Sequence, residues 1–481
     1  MSDIETSSKT TSPLQGHLAR VVELLNRHRV VEDLTHRQIG EHKDVVESLV
    51  HRQNVAELQR EIDDLHPADI AHILESLPPE DRLSIWKLVK FDRDGEILLE
   101  VSDAVRESLL ADMDKPEILA AAEQLDADEM ADLAEDLPDE VVHELMQRLD
   151  VPEREQLRSA MSYDEEEVGS LMDFEMITIR EDVTLDVVLR QLRDLKELPE
   201  QTDKLFVVNN HNVLTGVLPL NWLLVNDPAR HVSEIMAPDA NTFHPDEDVT
   251  DTAQAFERYD LVSAPVVDAE GRLIGRLTID AMVDVIREES DADMLGRAGL
   301  REDEDIFASV WRSVRNRWTW LAMNLVTAFI ASRVIGLFEG SIEKLVALAA
   351  LMPIVAGIGG NSGNQTITMI VRALALGQVT GDNAKRLLRK EVGVSLFNGL
   401  VWGGVIGIVA WLLYGNPALG LVMTAAMTLN LLLAALMGVL IPMTLIHFDR
   451  DPALGSSVMI TALTDSGGFF IFLGLATLFL V

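Results

Sequence analysis

Asp465 is the residue of this chain whose position has the clearest chemical consequence. It is the only ionisable side chain in the last apolar stretch, about residues 453–480, and lies near its middle in Thr461-Ala-Leu-Thr-Asp-Ser-Gly-Gly468. A carboxylate at bilayer depth costs roughly 2.5–3.5 kcal/mol on insertion scales, so it persists only by facing a partner, a pore or water, and an ion pathway is its default reading. The alternative is a buried pair with Arg333 or Arg372, but both lie near span ends and can extend toward the interface.

A second polar cluster interrupts another apolar stretch, Pro353-Ile-Val-Ala-Gly-Ile-Gly-Gly-Asn-Ser-Gly-Asn-Gln-Thr366. Its proline and four glycines argue against a continuous helix. Asn361, Asn364 and Gln365 offer amide oxygens, and a chain without cysteine that presents oxygen ligands suits a hard cation better than zinc, copper or nickel. Amide hydrogen bonding between helices is the alternative. Mg²⁺ gives up water reluctantly, so one carboxylate and neutral oxygens could hold it largely hydrated. Two copies placing Asp465 on a shared axis would double the negative charge.

These residues need a membrane to work in. A helix crosses the bilayer with roughly 20 apolar residues, and five such spans fit, at about 318–338, 345–373, 391–414, 418–446 and 453–480. Arg312, Arg315 and Arg317 precede the first, and Arg372, Lys385, Arg386, Arg389 and Lys390 separate the second from the third. Both clusters read as cytoplasmic, which puts the N-terminus inside and, after five spans, the C-terminus outside. In the third span Ser395, Gly399, Gly403 and Gly407 form a ridge of small residues, best read as a packing surface for another helix.

The front of the chain lives in water. Up to Asp305 it carries 29 Lys+Arg against 72 Asp+Glu, a balance of −43, whereas the rest carries 11 against 7, a balance of +4. Such a front repels nucleic acid and attracts cations. Residues 1–19 read as a polar, disordered tail without a signal peptide. Residues 20–165 read as short amphipathic helices with a repeat at an offset of 60, Asp69–Pro78 against Glu129–Pro138, which suggests a superhelical stack. From 166 to 290 a β-α-β-β-α pattern occurs twice. A helical connection over 291–317 leads to the membrane. Asp280, Asp284 and Glu288, four apart, share one helix face, and like charges there ask for a cation or for screening by salt.

The tandem unit, clearest in Ala264-Pro-Val-Val-Asp and Gly271-Arg-Leu-Ile-Gly-Arg-Leu-Thr-Ile-Asp280, resembles a pair of CBS domains. With the acidic helical domain before it, the five spans after it, and the phrases Gly359-Gly-Asn-Ser-Gly-Asn-Gln365 and Thr464-Asp-Ser-Gly-Gly468, nearly the whole chain resembles the MgtE family of magnesium channels and transporters. The resemblance implies a multidomain fold: a superhelical α-domain, an α+β CBS pair and an all-α polytopic membrane domain. It implies a homodimer in the cell membrane, with a pore between the subunits, Asp465 selecting Mg²⁺, and Asn361 and Gln365 near the pore.

It also implies closure by cytoplasmic Mg²⁺ bridging acidic residues. The matching positions are Asp128 and Asp132 in the helical domain, Asp248 and Asp260 in the second CBS unit, and Asp284, Glu289 and Asp293 in and after its last helix. Some relatives have paired acids where this chain has Asp280-Ala281, and Ala292 also stands where an acid can occur. A regulatory nucleotide such as ATP at the CBS pair is a further expectation. The competing readings are a proton- or cation-coupled exchanger, a broader divalent-ion transporter for Co²⁺, Mn²⁺ or Ni²⁺, and a non-conducting membrane-anchored sensor. No Gly-x-x-x-x-Gly-Lys-[Ser/Thr] loop or Ser/His/Asp constellation points to an enzyme.

Overall fold

The computed structural model describes residues 13–481 other than 38–54, 196, 301–304, 376–377, 380–382, 449, 451 and 453–454. It separates into two compact units, one formed by residues up to Glu289 with Asp305–Ala308, the other by Ser290–Glu304 and Ser309–Val481.

The first unit opens with α1 (Pro13–Arg37), so residues 13–19, expected within the tail, are helical. A helix over 55–63 (α2) precedes α3 (Pro67–Glu75), α4 (Pro79–Trp86), α5 (Asp94–Glu100), α6 (Asp103–Leu110) and α7 (Lys115–Ala122). Then follow α8 (Ala127–Glu135), α9 (Asp139–Arg148) and α10 (Val151–Ala160). These helices are short because turn chemistry keeps stopping them. Pro79 and Pro116 occupy the first turns of α4 and α7, and capping boxes begin α7, α8 and α10 at Asp114, Asp126 and Asp150. The sequence repeat maps α3 and α4 onto α8 and α9. One face of each helix supplies a shared core that includes Leu74, Ile85, Leu98, Leu109, Leu133 and Leu157.

An arginine that reaches back to the preceding helix recurs in this stack, buried at Arg82 and Arg106 and partly buried at Arg154. Arg82, Arg106 and Arg154 each donate through Nε to the carbonyl eight residues back, of Leu74, Leu98 and Met146, at 3.0, 2.8 and 2.6 Å. Each thereby satisfies carbonyls that a helix end leaves without intrahelical partners. Arg82 also pairs with Asp305 at 3.0 Å, both side chains nearly inaccessible.

The α+β part repeats as expected. Strand β1 (Thr178–Arg180), α11 (Leu185–Asp194), β2 (Lys204–Val208), β3 (Leu214–Pro219) and α12 (Leu220–Val225) make the first half. The second half has α13 (Val232–Ile235), α14 (Val249–Tyr259), β4 (Ser263–Val267), β5 (Leu273–Thr278) and α15 (Ile279–Ala298). In the first half β2 pairs parallel with β1 and antiparallel with β3. In the second, β4 pairs antiparallel with β5, and the strand expected near Thr242-Phe243 is reduced to a single parallel bridge, Phe243 to Val266. Both antiparallel pairs shift register at the same place, Val207/Val208 and Val266/Val267.

The second unit is helical: α16 (Val310–Gly336), α17 (Glu339–Lys344), α18 (Ala347–Ala375), α19 (Ala384–Tyr414), α20 (Pro417–His447) and α21 (Ser456–Phe479). Among the described residues α16, α19, α20 and α21 are long and apolar enough to cross a membrane. Despite its 29 residues, α18 is not one of these four, because Asn361, Ser362, Asn364 and Gln365 dilute its apolar content. The helix is nevertheless continuous, which corrects the expected break. Pro353 lies near its start and removes only one hydrogen bond, to the carbonyl of Ala349. Three of its glycines are braced by close neighbours: Gly359 by Asn430, Gly360 by Thr464 and Gly363 by Ile460.

Candidate functional site

Helices α18 and α21 cross where glycines of α18 meet Ile460 and Thr464 of α21. A Cβ on Gly363 would lie 2.5 Å from the Ile460 side chain, and one on Gly360 would lie 3.7 Å from Thr464 Oγ1. Thr464 is wholly buried there and returns its hydroxyl to its own helix, to Ile460 O at 2.8 Å. The next residue on each helix is a sequence candidate. Asn361 follows Gly360 and Asp465 follows Thr464, so both flank one crossing.

Asp465 is half-buried. Among the described residues no cationic side chain lies within ion-pair distance of it. Arg333 instead stacks its guanidinium over Phe329, 5.0 Å from the ring centre, and Arg372 is exposed. The buried-pair alternative therefore has no partner here. On α18, Pro353, Gly357, Asn361 and Gln365 recur every fourth residue and are all exposed, so an uncovered face of that helix carries two amides. Asn364 is partly covered.

Asn430 of α20 was not anticipated. It is completely buried, and its amide nitrogen donates to Val355 O of α18 at 2.9 Å. The ridge of Ser395, Gly399, Gly403 and Gly407 packs on α20, as expected for a packing surface: Cβ atoms on the three glycines would stand 2.7, 2.9 and 2.2 Å from Thr428 and Thr424 atoms. Thr424 Oγ1 donates across this contact to Gly403 O at 3.0 Å.

The acidic candidates of the first unit fall into separate places. Asp128 lies in the first turn of α8, and its carboxyl is pushed up to about 8 by burial and then by the charge of Asp173. Asp173 is itself raised by burial, opposed by buried Arg276, whose Nη2 stands 2.6 Å from its Oδ2. Asp132, one turn further on α8, is gripped by Arg106 through two bonds of 3.0 and 3.2 Å. Asp284 is raised by burial and then by Asp280 and Asp132. Glu288 is raised by burial and then by Asp103, Asp284 and Asp132. The structure thus brings the acids of α6 and α8 against those of α15.

Asp248 and Asp260 sit at opposite ends of α14, an 11-residue helix about 16 Å long. Asp248 caps the first turn by accepting from Asp251 N at 3.0 Å, and Asp260 takes the left-handed conformation (φ 51°) that ends the helix. Within one chain these two cannot share an ion. Glu289 is exposed, and the side chain of Asp293 lies outside the described residues. Among the described residues no three His, Asp or Glu side chains are arranged to hold a metal.

Family models match three parts of the chain: the MgtE divalent cation transporter over residues 352–475, the MgtE intracellular N domain over 65–166 and the CBS domain over 232–288. The chain is 32% identical over 433 residues to the magnesium transporter MgtE of Thermus thermophilus, covering 88% of this chain and 95% of that protein. It is 28% identical over 432 residues to the Bacillus subtilis magnesium transporter MgtE, covering 90% and 96%. Among solved structures, the cytosolic domain of the Mg²⁺ channel MgtE in complex with ATP is 30% identical, with 50% of this chain and 98% of that chain covered at a TM-score of 0.45.

Proposed function

The chain belongs to the MgtE family of magnesium transporters, and from that membership we propose that it is a Mg²⁺ channel closed by cytoplasmic Mg²⁺. Its pore would lie at the interface of two copies, with Asp465 selecting the ion and Asn361 and Gln365 lining the approach. The observation that carries this reading is the pairing of an unpartnered Asp465 with the uncovered amide face of α18. Amides facing hydrocarbon are costly, so that face calls for water or a second copy of the chain. A second copy would also bring a second carboxylate, giving a divalent, still hydrated ion charge balance without stripping its water.

Five spans underlie the reading: α18 joins the four apolar helices because its polar face would be turned from lipid. Arg312, Arg315 and Arg317 in the first turns of α16, with Arg372 in the last turn of α18 and Lys385, Arg386, Arg389 and Lys390 in the first turns of α19, favour an N-terminus in the cytoplasm and a C-terminus outside. Residues 20–165 and 166–290 then form the sensor, and 291–317 connects it to the pore.

Closure follows from charge. Burial first, and then neighbouring acids, raise the carboxyls of Asp128, Asp284 and Glu288, and the acids of α6, α8 and α15 repel one another when no cation is present. A divalent ion in the same place would relieve the repulsion and favour a compact sensor, with Asp128, Asp132, Asp248, Asp260, Asp284, Glu289 and Asp293 as candidate ligands. Such feedback works only if Mg²⁺ binds the closed state more tightly than the open one. A nucleotide at the CBS pair would add a second input, testable by the thermal shift of the full-length protein with ATP.

The decisive experiment is flux into liposomes. Asp465→Ala is expected to abolish Mg²⁺ uptake while the protein keeps its elution profile and unfolding midpoint. Undiminished uptake by this variant would remove the pore assignment. The same assay with Co²⁺, Mn²⁺ and Ni²⁺ sets the range of ions, and uptake that requires a pH gradient would favour an exchanger.

A further inference from the structure

Two buried threonines of the membrane half satisfy their hydroxyls locally: Thr428 donates to Thr424 O and Thr464 to Ile460 O, each at 2.8 Å on its own helix. An amide cannot do so as easily, since it carries two donor hydrogens and an acceptor. Asn430 is completely buried, and its Nδ2 reaches across to α18, to Val355 O at 2.9 Å. Its Oδ1 is also buried and has no hydrogen-bond partner among the described residues.

Two helices close on this amide through glycine. A Cβ on Gly359 of α18 would lie 2.2 Å from Asn430 Nδ2, and one on Gly468 of α21 would lie 2.6 Å from the same atom. At either distance a Cβ would force the Asn430 amide to shift, so the contact is this close because both positions are glycine. Gly359 is two residues before Asn361, and Gly468 is three residues after Asp465. The amide is therefore wedged between the helices that carry the two candidate pore groups, within one turn of each.

An amide left half-satisfied in an apolar bundle is a poor stabiliser, and a hydrocarbon of similar volume would suit folding at least as well. We propose that Asn430 is a positioning residue for ion conduction: its amide fixes α18 against α21 and so sets the separation of Asn361 and Asp465. This rests on the reading of Asp465 as the ion-selecting group. It predicts that selectivity, not stability, depends on the amide.

The test uses the full-length protein in liposomes, reading Mg²⁺ uptake and the Mg²⁺/Ca²⁺ flux ratio per folded protein, with the unfolding midpoint measured in parallel. Asn430→Leu is expected to keep or raise the midpoint, to lower Mg²⁺ uptake by about tenfold or more and to change the flux ratio, because a displacement near 1 Å at a reacting or binding centre is costly. Gly359→Ala, which presses on the amide from α18, is expected to change the ratio in the same direction. Wild-type uptake and ratio in Asn430→Leu overturn the inference, as does a lowered midpoint with an unchanged ratio, which would make the amide a fold determinant. If Asn430→Leu yields no folded protein, Gly359→Ala decides by the same readouts. Asp465→Ala is run alongside. Normal conduction by it removes the pore reading and this inference together, whereas a dead Asp465→Ala with a wild-type Asn430→Leu removes this inference alone.

Discussion

Arg106 binds the carbonyl of Leu98 behind it and both oxygens of Asp132 in front of it. A divalent ion arriving at Asp132 has to compete with that fork, because a guanidinium already occupies the carboxylate's best lone pairs. Asp94 is held differently: burial, then Glu117 and Asp92, pushes its carboxyl from 3.8 up to about 7. A carboxyl raised by folding contributes stability that is complete below its unfolded value and lost as pH rises through its folded value. The region around α5 should therefore loosen as pH climbs from near 3.8 to about 7. Asp94→Asn should flatten that slope. Amide hydrogen exchange across α5 and α7 over this window checks it, and equal slopes in the two proteins would contradict the assignment. Asp465 was legible in the sequence because a lone charge in an apolar stretch needs an explanation by itself. The Arg106–Asp132 pair was not, since partners 26 residues apart on different helices leave no periodic trace. Asn430 was equally hidden. Its significance depends on two glycines from other helices, and a single sequence does not say which helices meet.

Glycine does different work in different helices of the membrane half. On α19 the side chains removed at Gly399, Gly403 and Gly407 let α20 approach until backbone meets backbone, with Gly420 O only 2.6 Å from where a Gly407 Cβ would stand. A backbone carbonyl cannot swing aside. Gly407→Leu should thus destabilise the α19–α20 pair by about 1–3 kcal/mol, the range for overpacked contacts. Gly404→Leu, on a face with nothing within 4 Å, should be close to neutral. Reversible unfolding of both variants in mild detergent measures the difference, and similar losses would refute the argument. On α18 the glycines were expected to break the helix, and here the expectation failed for a physical reason. Glycine disfavours a helix by leaving the backbone free and uncovered, but Asn430, Thr464 and Ile460 cover it. The α/β repeat was more legible, since short continuous apolar runs such as Ala264–Val267, bounded by polar turns, mark buried strands locally. Its exception is the single Phe243–Val266 bridge, where the segment around Phe243 pairs too briefly to form a strand.

At the scale of the whole chain, a balance of −43 is joined to one of +4. Repulsion within the acidic part is a store of free energy that divalent cations can release, and monovalent salt screens it only over distance. Mg²⁺ at about millimolar concentration should therefore protect the acidic part of the full-length protein from limited proteolysis, cooperatively, whereas NaCl of equal ionic strength should not. Identical cleavage in the two salts would remove the sensor. The modest apolar content of α18 has a different consequence, for how the protein is made. This helix leaves the ribosome before α20 and α21, the helices that cover its glycines and accept its crossing. A segment carrying Asn361, Asn364 and Gln365 has little affinity of its own for lipid. On the five-span reading, its entry into the bilayer would then be completed late, by helices translated after it, so that the order of synthesis and the order of assembly would differ.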